Sequence, residues 1–196
     1  VKDAARRVLK AKLDYFKSGN AAPLYPDADA IDSHIPDREG EKFFLEQACR
    51  SATVEKPGRL PLTKDNAGGV LLLGSLTSFF KAGKQRYPDA GEFHYTYETG
   101  PNETQWVLDN LPSVAPGYDT VIICVSNENH VKIAEYFKGS GKKVVILCNM
   151  TPTLTEKLQW ADSILLGYSW RCDYSLKAML GAVNGEFVPQ GTKPYN

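Results

Sequence analysis

Apolar side chains at Val1, Ala5, Val8, Leu9, Leu13 and Phe16 recur three and four positions apart, the spacing that lines one face of a helix over the first eighteen residues. Gly19 follows the last of them and stops that helix, since glycine accepts the positive φ a helix end requires. Residues 20–37 lose the periodicity and hold three prolines and four aspartates, which predicts a linker or strap. Asp37 is placed to cap a second helix over 38–50, with Phe43, Phe44, Ala48 and Leu45 on its buried side. Residues 51–54 are β-prone. From Gly69 onward the pattern changes to strands and helices in alternation. Residues 70–73, 119–125, 142–148 and 163–168 are near-continuous apolar runs, as strands covered on both faces require, and 92–97 alternates. Between and after them, helical patterns fall at 76–86, 103–111, 128–138, around 153–160 and at 173–183. Such alternation implies parallel pairing through right-handed crossovers. The expected fold is α/β, a three-layer doubly wound sandwich of five or six mostly parallel strands, flavodoxin-like. Residues 38–196 would form it, with 1–37 as a helix and strap ahead of it.

Charge narrows the partners. The 196 residues carry 23 Lys and Arg against 23 Asp and Glu, so no net field draws nucleic acid or anionic lipid. The longest aliphatic runs fall far short of the roughly 20 residues of a membrane helix. The first helix is locally basic, with Lys2, Arg6, Arg7, Lys10, Lys12 and Lys17 against Asp3 and Asp14. It reads as a solvated face or a docking surface for further protein. The chain starts at Val1 inside this helical pattern, with no initiator Met and no signal peptide, which sets up the expectation of a preceding domain. Cys49, Cys124, Cys148 and Cys172 are widely spaced with no CxxC pair, so free thiols are expected rather than disulfides or metal ligands. That usage favours a reducing, cytoplasmic setting and is also compatible with export.

In a doubly wound sheet, ligands gather where strands end, at a topological switch point. The residues placed there are Gly74–Ser75, Ser126–Asn127–Glu128, Asn149–Met150 and Tyr168–Ser169. Their amide and hydroxyl groups suit sugar hydroxyls or phosphate; the same residue types also make the turns and helix caps these positions need. Asn127, His130, Asn149 and Tyr168 are the candidate cleft residues and Glu128 the candidate acid/base. A dinucleotide site is not supported, because the segment from Val70 to Phe80 has one glycine before its helix where a phosphate fingerprint has three. No P-loop and no GxSxG nucleophile elbow occurs. His94 and His130 lack a second ligand at metal spacing. Asp32-Ser33-His34 sets a carboxylate two residues before an imidazole, a pairing able to shuttle protons. No metal or cofactor is expected.

Several segments, in order, resemble the region that follows the catalytic barrel in family 3 glycoside hydrolases. Arg7, Val8, Leu9, Lys12 and Leu13 are similar to the family's last barrel helix. Ala48, Ser51, Ala52, Thr53 and Leu60-Pro61-Leu62 resemble its Ala-x-x-Ser-[Ile/Ala]-Thr-Leu segment running to Leu-Pro-Leu, with Lys56-Pro57 where Lys-Asn is usual. Asn149 to Pro152, Trp160 to Leu165 and Gly167-Tyr168-Ser169 look like its closing strands. Gly185, Pro189, Gly191 and Pro194 match its ending, with Lys193 where Leu is usual.

The resemblance implies a nucleophilic aspartate on an N-terminal (β/α)₈ barrel and a carbohydrate substrate. The Glu-Gly-x-Asp-Arg segment of the β-glucosidase-like members is absent after Val125, where Ser126-Asn127-Glu128-Asn129-His130 stands instead. That leans toward the β-N-acetylglucosaminidase branch, whose acid/base is a His-Asp dyad on a barrel loop. Asp32-Ser33-His34 is not that dyad, since the Lys-His-Phe-Pro-Gly context is missing. By this reading the chain alone is inactive. The competing expectation is a free-standing flavodoxin-like binding or scaffold module.

Overall fold

The computed structural model describes residues 2–23, 25, 27–34, 37–169 and 173–193, without the side chains of Asp32, His34 and Arg38. The chain divides into two compact units, 1–41 and 42–196. In the first, helix α1 (Lys2–Lys17) has no buried residue, and Leu9, Leu13 and Phe16 are 55–60% exposed. Its two acids are paired along the helix, Asp3 with Arg7 at 3.6 Å and Asp14 with Lys10 at 2.8 Å. Where prolines and aspartates predict an irregular strap, α2 (Ala28–His34) is helical. Asp27 starts it by accepting the Asp29 N–H at 3.0 Å, and alanines at 28 and 30 favour the helix. The Asp32-Ser33-His34 tripeptide lies on α2, and the placement of its acid and imidazole falls outside the described side chains.

Helix α3 (Arg38–Ser51) leads into the sheet. Its Phe43 and Phe44 are more than half exposed, which corrects the expectation of a buried face. The helix lies at the periphery, and Phe44 meets the neighbouring Phe43 ring at 5.7 Å and the Tyr174 ring at 6.0 Å. The remaining strands and α-helices are β1 (Thr53–Lys56), α4 (Lys64–Ala67), β2 (Val70–Gly74), α5 (Thr77–Arg86), β3 (Gly91–His94), α6 (Pro101–Val114), β4 (Thr120–Val125), α7 (Glu128–Glu135), β5 (Lys143–Cys148), β6 (Ser163–Leu166) and α8 (Asp173–Asn184). A 3₁₀ helix, Pro152–Leu158, stands where an α-helix is expected over 153–160. Within it Thr155 shares its one hydroxyl proton between the Pro152 carbonyl at 2.7 Å and the Glu55 carboxylate at 2.6 Å. Such side-chain bonds compete with the α-helical ladder.

The six strands lie in the order β1-β6-β5-β4-β2-β3. All pairs are parallel except β1–β6. One face of the sheet buries Leu72, Ile122, Cys124 and Leu147 with Phe79, Met179 and Leu180 of α5 and α8. The other buries Leu73, Ile123, Val125 and Ile146 with Val107, Val131 and Ile133 of α6 and α7. This is the three-layer α/β sandwich expected from the strand pattern. The C-terminal tail covers the β1 end of the sheet: Gly191 donates its N–H to the Ala52 carbonyl at 3.1 Å, and Lys193 pairs with Glu55. An edge tied down in this way is protected from pairing with another chain.

Candidate functional site at the carboxyl ends of the strands

Chain order reverses at β2. Its crossover through α5 runs to β3 on one side, and β4 then pairs on the other. The switch point is therefore the gap between the carboxyl ends of β2 and β4. Two rings fill it. Tyr95, just past β3, donates its N–H to the Gly74 carbonyl at 3.1 Å and its hydroxyl to the Cys124 carbonyl at 3.2 Å, so its side chain spans the end of β2. The His130 ring lies 4.7 Å from it, and both residues are buried. The crevice that commonly receives a nucleotide or flavin in this architecture is occupied by protein.

His130 is fully buried and accepts the Ser126 N–H on Nδ1 at 3.2 Å. The neutral ring therefore keeps its proton on Nε2. Burial pushes its pKa down to about 4, only partly opposed by a hydrogen bond to the Thr96 backbone and by the Glu103 carboxylate. Asn127 caps α7, accepting the N–H groups of Asn129 and His130 at 2.9 and 3.0 Å, and donates Nδ2 to the Tyr97 carbonyl at 2.8 Å. Asn149, also fully buried, accepts the Ser126 hydroxyl on Oδ1 at 2.7 Å, while its Nδ2 has no partner. Tyr168 is half-buried, holds a left-handed φ of 51° and has a buried hydroxyl without a partner. The hydroxyl of Ser75 at the end of β2 is likewise unpartnered. Glu128 points elsewhere: its carboxylate is 61% exposed and paired with Lys157 at 2.8 Å.

Asn127 and His130 thus stand together, and Ser126 links them to Asn149. Their polar atoms mostly hold one another and the loop after β3. That loop is what reading the sequence missed. The strand expected over 92–97 ends at His94, and 95–100 turns back toward α7. Asn129 donates to the Thr99 carbonyl at 2.6 Å, and Glu103 of α6 accepts the Thr96 N–H at 2.7 Å and the Thr96 hydroxyl. The alternation of Tyr95 and Tyr97 before Gly100-Pro101 is the sequence signal that marks it. His94 lies apart on the outer strand, stacked at 3.7 Å on Phe80 and bonded to Glu92 at 2.7 Å. Cys49, Cys124 and Cys148 are free thiols, and burial raises Cys124 to about 12 and Cys148 to about 11. Cys172 lies outside the described residues. Among those described, no group of three ligand side chains stands close enough to hold a metal ion.

The sequence matches no family model and no curated protein. Solved structures do match. A glycoside hydrolase family 3 β-N-acetylglucosaminidase from Paenibacillus sp. aligns with a TM-score of 0.68 at 13% identity, over 88% of this chain and 35% of that one. A β-glucosidase from Listeria innocua aligns at 0.65 and 16%, over 91% and 29%. A fungal multi-domain family 3 β-N-acetylglucosaminidase aligns at 0.61 and 19%, over 86% and 21%. At these identities the likeness defines the fold, an α/β sandwich shared with a region of family 3 glycosidases. The chain spans about a fifth to a third of the length of these solved chains.

Proposed function

We propose that this chain is the α/β domain that accompanies the catalytic barrel of a family 3 type glycosidase, acting on β-linked N-acetylglucosamine or β-glucosides. The observation that carries the reading is the alignment of 88% of the chain with a third of the Paenibacillus enzyme, in agreement with the ordered sequence segments that resemble that family. In this reading residues 1–37 supply the trailing barrel helix and its connection, and 38–196 wall the substrate cleft. The exposed apolar side chains of α1 support a helix made to pack on further protein.

The glycosidic bond would be broken by a retaining mechanism, with a barrel aspartate forming the glycosyl-enzyme and water releasing the sugar. This chain contributes support rather than chemistry. Glu128 is ion-paired at the surface, where a general acid needs a proton and a cleft. The test compares this 196-residue protein with the complete polypeptide encoded by its gene, using aryl β-N-acetylglucosaminide and aryl β-glucoside substrates. The expected result is turnover by the complete polypeptide only. Turnover by the 196-residue protein would overturn the assignment of the catalytic residues to a barrel.

A further inference from the structure

Helix α3 and the C-terminal tail enclose a groove within the 42–196 unit. Leu45, Cys49 and Arg50 of the helix form one wall and Phe187 and Val188 of the tail the other, around a cavity of about 460 Å³. The tail wall is fixed at several points. Glu186 pairs with Arg86 at 2.7 Å, Phe187 packs on the core shared with α5 and α8, and the Gly191 N–H bonds to the Ala52 carbonyl just past α3. The groove is preformed, so a partner spends little on ordering it. Its apolar side chains are nevertheless open to solvent: Val188 is 84% exposed, and Leu45 is exposed as well. Charge rims this apolar centre, Lys42 and Arg50 against Glu46, which is the make-up of a surface that buries against protein. One cation in excess suits a partner with acidic side chains at its margin.

Position in the fold selects the occupant. Strand β1 runs antiparallel to β6, and Thr53 pairs with Leu166, the last residue of β6. The end of α3 therefore reaches the carboxyl edge of the sheet, the edge where the strand-end residues gather. In the glycosidase reading the barrel faces that same edge across the cleft. Most of each aligned solved chain lies outside the matched region, so in that reading a much larger body is joined to α3 through residues 18–37. Tethering of this kind gives the barrel an effective concentration of about millimolar at the groove, against which a free partner has to compete.

We infer that the groove between α3 and the C-terminal tail is a docking surface for the catalytic barrel of the same polypeptide, with Leu45, Phe187 and Val188 as its apolar contacts. The inference rests on the glycosidase reading above. Cys49 reports the occupant, because it lines the groove and is half-buried where Cys124 and Cys148 are buried. The 196-residue protein and the complete polypeptide encoded by its gene are treated with a maleimide, and the label on the Cys49 peptide is followed by mass spectrometry. Labelling in the complete polypeptide is expected to be about tenfold slower or more, as for a contact open in a minority of molecules. Val188→Glu places a charge at the exposed wall. It should leave the urea midpoint of the 196-residue protein unchanged and restore Cys49 labelling in the complete polypeptide. The wild-type comparison stands without that variant. Equal labelling of Cys49 in the two wild-type proteins, with aryl glycoside turnover by the complete polypeptide, overturns the docking surface and leaves the glycosidase reading standing. Protection already present in the 196-residue protein and rising with its concentration makes a second copy the occupant, and overturns the barrel assignment. No turnover of either aryl glycoside by the complete polypeptide overturns the glycosidase reading, and this inference with it.

Discussion

The Tyr95 hydroxyl donates to the Cys124 carbonyl at 3.2 Å, joining the segment after β3 to the end of β4 across the strand between them. Both ends of that bond are buried, so its loss is not repaired by water. Tyr95→Phe keeps the ring and strands the carbonyl, at an expected cost of about 1–3 kcal/mol. Tyr95→Ala also opens a cavity, and about 3–5 kcal/mol is expected. Urea unfolding of both variants against wild type checks the order and the spacing of the two costs.

Acid should destabilise the fold through His130 before most carboxylates titrate. Its pKa is about 4 in the folded protein, against 6.5 for an unperturbed histidine. Between those values the unfolded chain binds a proton that the native protein refuses. The stabilisation is therefore complete above pH 6.5 and is lost as pH falls toward 4, about 3 kcal/mol in all. Unfolding free energies measured from pH 7 down to pH 5 should fall at a rate approaching about 1.4 kcal/mol per pH unit. In His130→Leu that slope should flatten, whatever the absolute stability of the variant.

Asn127 has two separable duties. Asn127→Ala removes both the α7 cap and the clamp on the Tyr97 carbonyl, and about 2 kcal/mol is expected. Asn127→Ser restores a capping oxygen without the amide that reaches Tyr97. About half the loss should return in chemical denaturation. Equal losses in the two variants would show that the cap contributes nothing.

Close approach of α8 to the end of β6 requires Gly167. A Cβ there would stand 2.3 Å from Ser175 Oγ and 2.8 Å from Met179 Cε. The Ser175 hydroxyl is already committed to the Gly167 carbonyl at 3.0 Å. Gly167→Ala is expected to cost about 1–3 kcal/mol by overpacking, read as a lowered urea midpoint with an unchanged slope.

The buried strands were legible because a strand covered on both faces must be apolar at every position. Val70 to Leu73 and Val121 to Val125 admit little else. Their alternation with helices likewise carried the parallel sheet. Less was legible at the margins. Phe43 and Phe44 carry the right residue types for a buried face yet remain exposed, because periodicity reports which side of a helix is apolar and not what covers it. Within the 3₁₀ helix at Pro152–Leu158, Thr155 bonds to Glu55, a hundred residues away, a partner that no local pattern predicts. The candidate site divides the same way. Asn127 was placed at a strand end by its position alone, but its second bond goes to Tyr97, thirty residues earlier.

Sequence by itself determined the layers, the parallel strands and the set of polar residues at their carboxyl ends, since these follow from local periodicity and the turn chemistry of neighbouring residues. Only the tertiary structure decided that Tyr95 and His130 fill the switch point, that Glu128 is spent on Lys157, and that the loop at 95–100 is what the polar residues support. Each of those depends on contacts between segments far apart in the chain, where burial and hydrogen-bond saturation, rather than residue type, select the partner.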